Sequence, residues 1–205
     1  MKMTTLRWGT LPKEAQGGLI LLHGRGATAD DMVGLAQALP AKNLALVAPQ
    51  AAGFSWYPQR FFAPLTENEP WLSEALEKVD QEVAALRDAG IPSERIGLMG
   101  FSQGGCLALE WAHRRSCSLG FVAGLSSALI GPPGVARGTS DLRGVPVLLA
   151  CAEEDPHIPV AQVLESTEVL KSAQAKLTSW VFPGGDHAVF AEEIAWVSEQ
   201  IRGWR

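Results

Sequence analysis

Short apolar runs alternate with longer amphipathic stretches along most of this chain, and no other feature of the sequence limits the fold as strongly. The short runs are mostly apolar, as strands buried on both faces of a parallel sheet are. Parallel strands need crossover connections, and the amphipathic stretches are long enough to be crossover helices. At least six strands are predicted, at 19–22, 44–47, 96–99, 121–125, 145–149 and 177–182.

The stretches between these runs show helical periodicity. Apolar residues recur every three or four positions in 72–86, which predicts one apolar stripe on a helix that ends near Gly90 and Pro92. The same spacing recurs in 194–204. Further helices are predicted at 103–115, at 160–175, and from a cap at Asp30 or Asp31 to about Leu39.

This order of elements predicts an α/β fold, a doubly wound and mostly parallel sheet with helices on both faces. Residues 5–10 are expected to add an antiparallel edge strand. With 205 residues, of which 47% are hydrophobic, the chain can build one core and is too short for two ordinary domains. Strands, helices and one glycine-rich loop fill the sequence after residue 102, which leaves no room for a helical cap. We therefore expect a single domain over residues 1–205.

The charge balance argues against several classes of partner. With 17 Lys and Arg against 22 Asp and Glu, the chain has no positive excess for binding nucleic acid or anionic lipid. No window approaches the ~18 apolar residues of a membrane span, and the N-terminus lacks a signal-peptide pattern, so we expect neither stable membrane insertion nor secretion. The three cysteines, Cys106, Cys117 and Cys151, are odd in number and unclustered, which favours free thiols in a reducing cytoplasm.

Two stretches, 49–70 and 126–143, interrupt the alternation and are interpreted as loops. The first carries more aromatic surface than a solvated loop needs. It either packs over a cleft or folds down on the core, and the sequence leaves both interpretations open. In the first case Trp56, Tyr57 and Phe61 are candidate substrate-binding residues. The aromatic residues in this loop and directly after it are Phe54, Trp56, Tyr57, Phe61, Phe62 and Trp71.

The third predicted strand runs into Gly-Phe-Ser-Gln-Gly at 100–104, and a helical pattern follows at once. This G-x-S-x-G sequence between strand and helix is typical of a nucleophile elbow, a sharp turn that exposes a serine hydroxyl. Glycine is required on both sides because a Cβ atom there would collide with the neighbouring strand and helix. Ser102 is therefore the candidate nucleophile, and the backbone N–H of Gln103 is a candidate oxyanion donor.

A nucleophilic serine needs a base, and the base needs an acid that orients it. His187 follows the last predicted strand and is the candidate base. Asp155 follows the preceding strand and is the candidate acid, which gives the chain order Ser, Asp, His that is typical of α/β-hydrolases. Rival acids lie nearby in the sequence, at Glu153, Glu154 and Asp186.

The other histidines fit the role of the base less well. His113 lies beside two arginines on a predicted helix, and we expect it to be solvated. His157 is too close to Asp155 in the sequence to bridge it to the serine. It is expected at the rim of the cleft, or with Asp155 in a metal site. No further ligand falls at a suitable spacing nearby, so no metal and no cofactor are expected.

The second oxyanion donor is expected in the glycine-bracketed turn after the first buried strand, at 23–26. We assign this role to the backbone N–H of Arg25. His23 then stabilises the turn and is not a second base. The alternative is that these four residues form an ordinary turn at the end of a strand.

These motifs resemble the α/β-hydrolase superfamily and, more narrowly, its carboxylesterase/phospholipase family, which includes the acyl-protein thioesterases. The resemblance rests on Leu-Leu-His-Gly-x-Gly at 21–26, Gly-Phe-Ser-Gln-Gly-Gly at 100–105, and the later Asp and His, and it covers nearly the whole chain. It implies a homodimer. It also implies a triad and an oxyanion hole at the positions reached above, namely Ser102, Asp155 and His187 with Arg25 and Gln103.

The sequence thus predicts a cofactor-independent serine hydrolase that cleaves small or medium acyl esters, which are small-molecule substrates, through an acyl-enzyme. Acyl-protein thioesterases tend to carry Trp-aromatic-Asp where this chain reads Trp-Tyr-Pro at 56–58, so an acylated protein is not the expected substrate. The alternatives are a lysophospholipase or acyl thioesterase, and a non-catalytic binding module that keeps the fold.

Overall fold

The computed structural model describes residues 3–116 and 118–204, and within them one seven-stranded sheet forms the centre of the fold. The strands are β1 (Thr4–Gly9), β2 (Gly17–Leu22), β3 (Leu44–Gln50), β4 (Ile96–Phe101), β5 (Phe121–Leu125), β6 (Pro146–Ala152) and β7 (Lys176–Phe182). Their order across the sheet is β1-β3-β2-β4-β5-β6-β7. All neighbours are parallel except β1, which pairs antiparallel with β3 as predicted.

Helices cover both faces of this sheet, and each face has its own apolar cluster. The helices are α1 (Asp31–Gln37), α2 (Trp71–Asp88), α3 (Gln103–Arg115), α4 (Val160–Ser172) and α5 (Ala191–Arg202). On one face, α2, α3 and α4 contribute residues such as Val79, Leu107 and Val163. On the other face, α1 and α5 contribute residues such as Met32 and Val197. The doubly wound α/β prediction is confirmed.

The predicted apolar stripe at 72–86 lies on α2 and is buried along its length. The helix stops because Gly90 takes the left-handed conformation at φ 98°. The N–H of Ile91 then donates to the carbonyl of Leu86 at 3.1 Å. At α1 Asp30 occupies the predicted N-cap position, but its side chain makes no capping hydrogen bond. The Asp31 carboxylate accepts the N–H and hydroxyl of Thr28 instead.

The prediction that His113 is solvated is also wrong, since only 6% of its surface is exposed. Every residue of α3 from Gln103 to His113 is buried, because the helix lies under the segment that follows β5. Burial strips water from the imidazolium form and lowers the pKa of His113.

Two of the three cysteines, Cys106 and Cys151, are buried free thiols. Cys117 lies outside the described residues. Among the residues described, no helix combines the length and the apolar character that crossing a membrane requires.

Candidate active site

Ser102 occupies the turn between β4 and α3 with φ 54° and ψ −120°, a backbone conformation that costs energy for any residue with a Cβ atom. Two hydrogen bonds hold it there. Its N–H donates to the carbonyl of Leu125 at 2.9 Å, and its carbonyl accepts the N–H of Cys106 at 2.9 Å. The turn is thus fixed both to the neighbouring strand and to the helix it begins.

The glycines on either side of the turn are required by close packing, as the sequence predicted. A Cβ atom on Gly100 would lie 2.3 Å from the carbonyl of Gly104 on the helix. A Cβ atom on Gly104 would lie 2.2 Å from the carbonyl oxygen of Leu22 at the end of β2. Both separations are below any real contact, so larger residues would push the serine out of position.

The structure brings together the three residues proposed from the sequence for nucleophile, base and acid. His187 Nε2 lies 2.8 Å from Ser102 Oγ, and His187 Nδ1 lies 2.8 Å from Asp155 Oδ2. Because the carboxylate only accepts, Nδ1 carries the proton and donates it to Asp155. Nε2 is then free to accept the serine proton, which is the tautomer that a general base needs.

Asp155 is the one carboxylate of the four sequence candidates that lies within hydrogen-bond distance of the histidine. Its side chain is fully buried, and its Oδ1 accepts the N–H groups of His157 at 2.8 Å and Ile158 at 2.9 Å. These donors fix the carboxylate in the orientation that serves the histidine. The three rivals, Glu153, Glu154 and Asp186, are exposed.

Two rings pack against His187 and hold its plane. Phe101 lies 5.0 Å away between ring centroids, and His157 meets it edge-on at 4.7 Å. His157 therefore lies at the rim of the cleft, one of the two places expected for it. Both oxygens of Asp155 accept hydrogen bonds, and within residues 3–116 and 118–204 no three His, Cys, Asp or Glu side chains form a group suited to a metal.

The turn after β2 lies directly against the serine. A Cβ atom on Gly24 would sit 3.5 Å from the Cβ of Ser102. The N–H of Arg25 has no acceptor among the described residues. Gln103 is the first residue of α3, so its N–H has no acceptor within the helix. Two unused backbone donors thus border the serine.

His23 stabilises this turn, as expected. Its ring is fully buried, Nδ1 lies 2.7 Å from the carbonyl of Gly24, and Nε2 accepts the N–H of Ala51 at 3.1 Å. Burial lowers the pKa of His23, because desolvation disfavours the charged ring. A neutral His23 both donates to one backbone group and accepts from another, which ties the turn to the end of β3.

The side chains of Arg25 and Gln103 hold residues 51–70, which we call the aromatic segment. The Arg25 guanidinium donates to three successive carbonyls, those of Tyr57, Pro58 and Gln59. Gln103 accepts the N–H of Trp56 at 3.0 Å and donates to the carbonyl of Tyr57 at 2.8 Å. The two residues that supply the unused N–H groups therefore also fix the loop beside them.

A cavity of about 320 Å³ opens beside Ser102, and the aromatic segment forms one of its walls. Tyr57 and Phe61 line it, as do Phe101 and Ile158. The structure differs from the prediction at Trp56, which is 1% exposed and does not line the cavity. The indole N–H of Trp56 donates to the carbonyl of His23 at 2.8 Å, so this ring supports the wall from behind.

The two interpretations of the aromatic segment are thus both realised, in part by the same residues. Trp56, Tyr57 and Phe61 all belong to the buried apolar core, and Tyr57 and Phe61 also line the cavity. Phe54 and Trp71 are half exposed and do neither.

Sequence reasoning missed two groups with polar side chains that line the cavity, Arg60 and Cys106. Cys106 lies four residues after Ser102, one helical turn below it, and that spacing was the available signal. Burial raises the pKa of this thiol to about 12, so it stays protonated. For Arg60 the sequence contained no indication of a place at the cavity, apart from its position in the aromatic segment.

Comparison with known proteins gives a consistent result. A family model described as phospholipase/carboxylesterase matches residues 11–205. The acyl-protein thioesterase 1 of Gibberella zeae is 35% identical over 127 residues, which are 60% of this chain and 52% of that protein. The acyl-protein thioesterase 1 of Cryptococcus neoformans is 32% identical over 116 residues, 48% of this chain and 49% of that protein. The chain spans about half the length of these curated relatives.

Two solved structures match over almost the whole length. The phospholipase/carboxylesterase from Dyadobacter fermentans superposes with a TM-score of 0.91 at 36% identity, covering 98% of this chain and 97% of that one. The carboxylesterase from Bacillus cereus gives a TM-score of 0.76 at 19% identity, covering 99% and 95%. The second likeness concerns the fold alone. Together they confirm the capless α/β-hydrolase fold that the motifs implied.

Proposed function

We propose that this chain, which belongs to the phospholipase/carboxylesterase family of α/β-hydrolases, is a serine hydrolase that cleaves carboxylic esters with small or medium acyl groups. The observation that carries the proposal is the unbroken series of hydrogen bonds from Ser102 through His187 to Asp155. In this proposal Ser102 is the nucleophile, His187 the base and Asp155 the acid that orients it.

In the first half of the reaction Ser102 Oγ attacks the acyl carbonyl while His187 Nε2 takes the hydroxyl proton. The tetrahedral intermediate then collapses, the ester C–O bond breaks, and the proton passes from the histidine to the leaving alcohol. In the second half a water molecule attacks the acyl-enzyme with the same base, which releases the acid and restores the serine. Asp155 holds the tautomer and stabilises the imidazolium formed in each half.

The oxyanion of each tetrahedral intermediate is assigned to the backbone N–H groups of Arg25 and Gln103. Both donors border Ser102, and Gln103 adds the favourable potential of a helix N-terminus. Donors that are already in place stabilise the developing charge without reorganisation, and losing one such donor costs about 10²–10³ in turnover.

The size of the cavity supports small or medium acyl groups. About 320 Å³ bounded by Tyr57, Phe61, Phe101 and Ile158 holds a short acyl chain or a ring. A long chain would gain ~0.8 kcal/mol for each buried methylene only if the cavity continued to cover it.

The second candidate is an acyl thioesterase or lysophospholipase, which the names of the fungal relatives favour. An enzyme of this kind would use the same catalytic groups, but its cavity would have to accommodate a longer acyl chain. We rank it second because Pro58 stands where the thioesterase pattern has an acid. Measured kcat/KM for p-nitrophenyl butyrate, octanoate and palmitate, alongside an acyl thioester, decides between them, and a preference for palmitate would support the second candidate.

Covalent labelling with a fluorophosphonate probe tests whether the protein is an enzyme at all. We expect stoichiometric labelling of the wild type, and neither labelling nor ester hydrolysis in Ser102→Ala. Ser172→Ala, the same change at an exposed position of α4, is the matched control and is expected to label normally. Labelling of Ser102→Ala would refute the nucleophile assignment. An unlabelled, well-folded wild type would favour a binding module that keeps the hydrolase fold.

A further inference from the structure

Two of the residues that line the cavity carry a formal charge, and both are arginines. Arg25 and Arg60 line it, and no Asp or Glu is among its described lining residues. Asp155 reaches the site only through His187, and both of its oxygens already accept hydrogen bonds. This local excess of positive charge occurs in a chain whose formal net charge is −5.

Neither of these two arginines pairs with a carboxylate among the described residues. Arg25 donates only to backbone carbonyls, which are dipoles and leave its charge uncompensated. Arg60 makes no hydrogen bond or ion pair with its side chain among the described residues, and its guanidinium lies 5.6 Å from the centre of the Phe62 ring. Elsewhere, five arginines pair with carboxylates: Arg7, Arg114, Arg115, Arg137 and Arg143.

Apolar walls strengthen the effect of these charges. Tyr57, Phe61 and Ile158 exclude water from part of the surface of any group that enters, and charges act more strongly where water is excluded. The cavity therefore favours a ligand that combines an apolar part with an anionic one.

The guanidinium N–H groups that make no hydrogen bond within the protein indicate which kind of anion the cavity would bind. The guanidinium of Arg25 is occupied by three carbonyls, whereas that of Arg60 has its N–H groups unused. One free guanidinium offers two parallel donors, which match two oxygens of a carboxylate or of a phosphate. A single guanidinium balances the one negative charge of a carboxylate, whereas a phosphate monoester carries close to two.

We propose that the substrate is an ester that carries a carboxylate, and that the guanidinium of Arg60 at the cavity binds this carboxylate while Ser102 attacks the ester. The inference rests on the hydrolase function proposed above and adds the class of substrate. Arg25 contributes through its charge, while its side chain continues to hold the aromatic segment.

The test compares p-nitrophenyl monoesters of glutarate, adipate and suberate with the same compounds whose free carboxylate is methylated. The measured quantity is the ratio of kcat/KM for the anionic ester to kcat/KM for its neutral counterpart. Three proteins are assayed: the wild type, Arg60→Gln, and Arg143→Gln. Arg143 lies near the start of β6, at the end of the sheet away from the cavity, so this control removes the same charge at a remote position.

For at least one chain length, we expect Arg60→Gln to lower this ratio about tenfold or more relative to both the wild type and Arg143→Gln. Added salt should reduce the wild-type ratio, because screening weakens an exposed ion pair. If Arg60→Gln changes this ratio by less than tenfold at all three chain lengths, or if Arg60→Gln and Arg143→Gln change it equally, the proposed carboxylate site is wrong.

The neutral esters keep the two proposals separable. If the wild type hydrolyses them and Ser102→Ala does not, the hydrolase function holds whatever the ratio does. If the wild type hydrolyses neither the anionic nor the neutral esters, both proposals fail.

Discussion

Two long segments leave the same edge of the sheet, and one helix holds both of them. The aromatic segment follows β3, and residues 126–143, which we call the glycine-rich segment, follow β5. Gln103 in the first turn of α3 holds the former, and Glu110, about two turns later, holds the latter. The segments meet where the N–H of Gly131 donates to the carbonyl of Phe61 at 2.7 Å.

The chemistry of the two attachments differs. Gln103 is a neutral amide beside Ser102, and the segment it holds lines the cavity. Glu110 is a buried carboxylate that accepts the N–H of Ile130 at 3.0 Å and pairs with Arg114 at 2.7 Å and Arg137 at 2.9 Å. None of the described residues that line the cavity belongs to the glycine-rich segment. The first attachment should therefore control the reaction rate, and the second should control stability.

The largest effect is expected at the ionic attachment. Glu110→Ala leaves Arg137, which is 13% exposed, without its counter-charge. Removing one partner of a buried pair costs about 3–5 kcal/mol of the free energy of unfolding. Urea denaturation measures this loss, and the kcat of the folded fraction should not change.

The control for this prediction is Glu168→Ala, which breaks an exposed pair with Lys171 on α4. Exposed pairs contribute about 0–1 kcal/mol. An equally small loss for Glu110→Ala, or a fall in kcat without loss of stability, would contradict the assignment of this attachment to stability.

The next largest effect concerns pH, through a second attachment of the glycine-rich segment. Glu193 on α5 is fully buried, accepts the N–H of Phe190 at 2.8 Å, and accepts that of Ser126 at 3.4 Å. Burial without a cationic partner raises the pKa of Glu193 to about 7. The folded state thus keeps a proton that the unfolded chain releases near the ordinary glutamate pKa of 4.5.

The free energy of unfolding should therefore fall as the pH rises from about 4.5 to about 7, because the folded state binds more protons in this range than the unfolded state. The difference between 4.5 and about 7 corresponds to about 3 kcal/mol in order of magnitude. Glu193→Gln should remove this fall, whereas Glu192→Gln, its exposed neighbour, should keep it. Urea denaturation from pH 5 to pH 8 tests the prediction, and parallel curves for the wild type and Glu193→Gln would refute it.

Breaking the attachment through the side chain of Gln103 is expected to lower the rate of ester hydrolysis. Gln103→Ala keeps the backbone N–H but removes the bonds to Trp56 and Tyr57, so the cavity wall loses its fixed position. Misplacing groups by about 1 Å costs on the order of 10²-fold in rate, which is about 2.7 kcal/mol. Kinetics with p-nitrophenyl butyrate measure this loss, with Gln200→Ala on α5 as the control. Loss of stability at full kcat would show that this attachment is structural.

The sequence predicted what depends on local spacing. Alternation of strand and helix patterns gave the strands, the sheet class and the helices, because burial on both faces of a sheet leaves a periodic signature. The elbow was predictable because Gly100 and Gly104 are required by backbone contacts that any such turn makes. Ser102, Asp155 and His187 could be placed together because each follows a parallel strand, and the carboxyl ends of parallel strands meet at one edge of the sheet.

What the sequence could not supply depends on side-chain direction and on contacts between distant residues. Trp56 and Tyr57 are adjacent, aromatic and equally buried, and only the path of the backbone decides that Tyr57 lines the cavity and Trp56 does not. The bonds from Arg25 and Gln103 to the aromatic segment span 32–48 positions. His113 is buried by the glycine-rich segment, which has no periodic pattern.

The smallest effect is expected where a buried polar group is poorly paired. The hydroxyl of Tyr57 is buried and interacts with the thiol of Cys106, which is a weak hydrogen-bonding group. Burial also raises its pKa well above the usual value, so the hydroxyl stays neutral. Tyr57→Phe removes this group but keeps the ring, so only a weak contact with a thiol is lost and a poorly paired buried group disappears. The free energy of unfolding should stay the same or rise by up to about 1 kcal/mol.

Thr167→Val provides the contrast for Tyr57→Phe. The hydroxyl of Thr167 is also buried, but it donates to the carbonyl of Val163 at 2.9 Å and lies 2.8 Å from the hydroxyl of Ser179. Its loss should lower the free energy of unfolding by about 1 kcal/mol or more, because Val163 and Ser179 lose their partner. If Tyr57→Phe is destabilised as much as Thr167→Val, then the tyrosine hydroxyl helps to hold the aromatic segment. If it is not, the bonds from Arg25 and Gln103 and the packing of the aromatic rings account for the position of that segment.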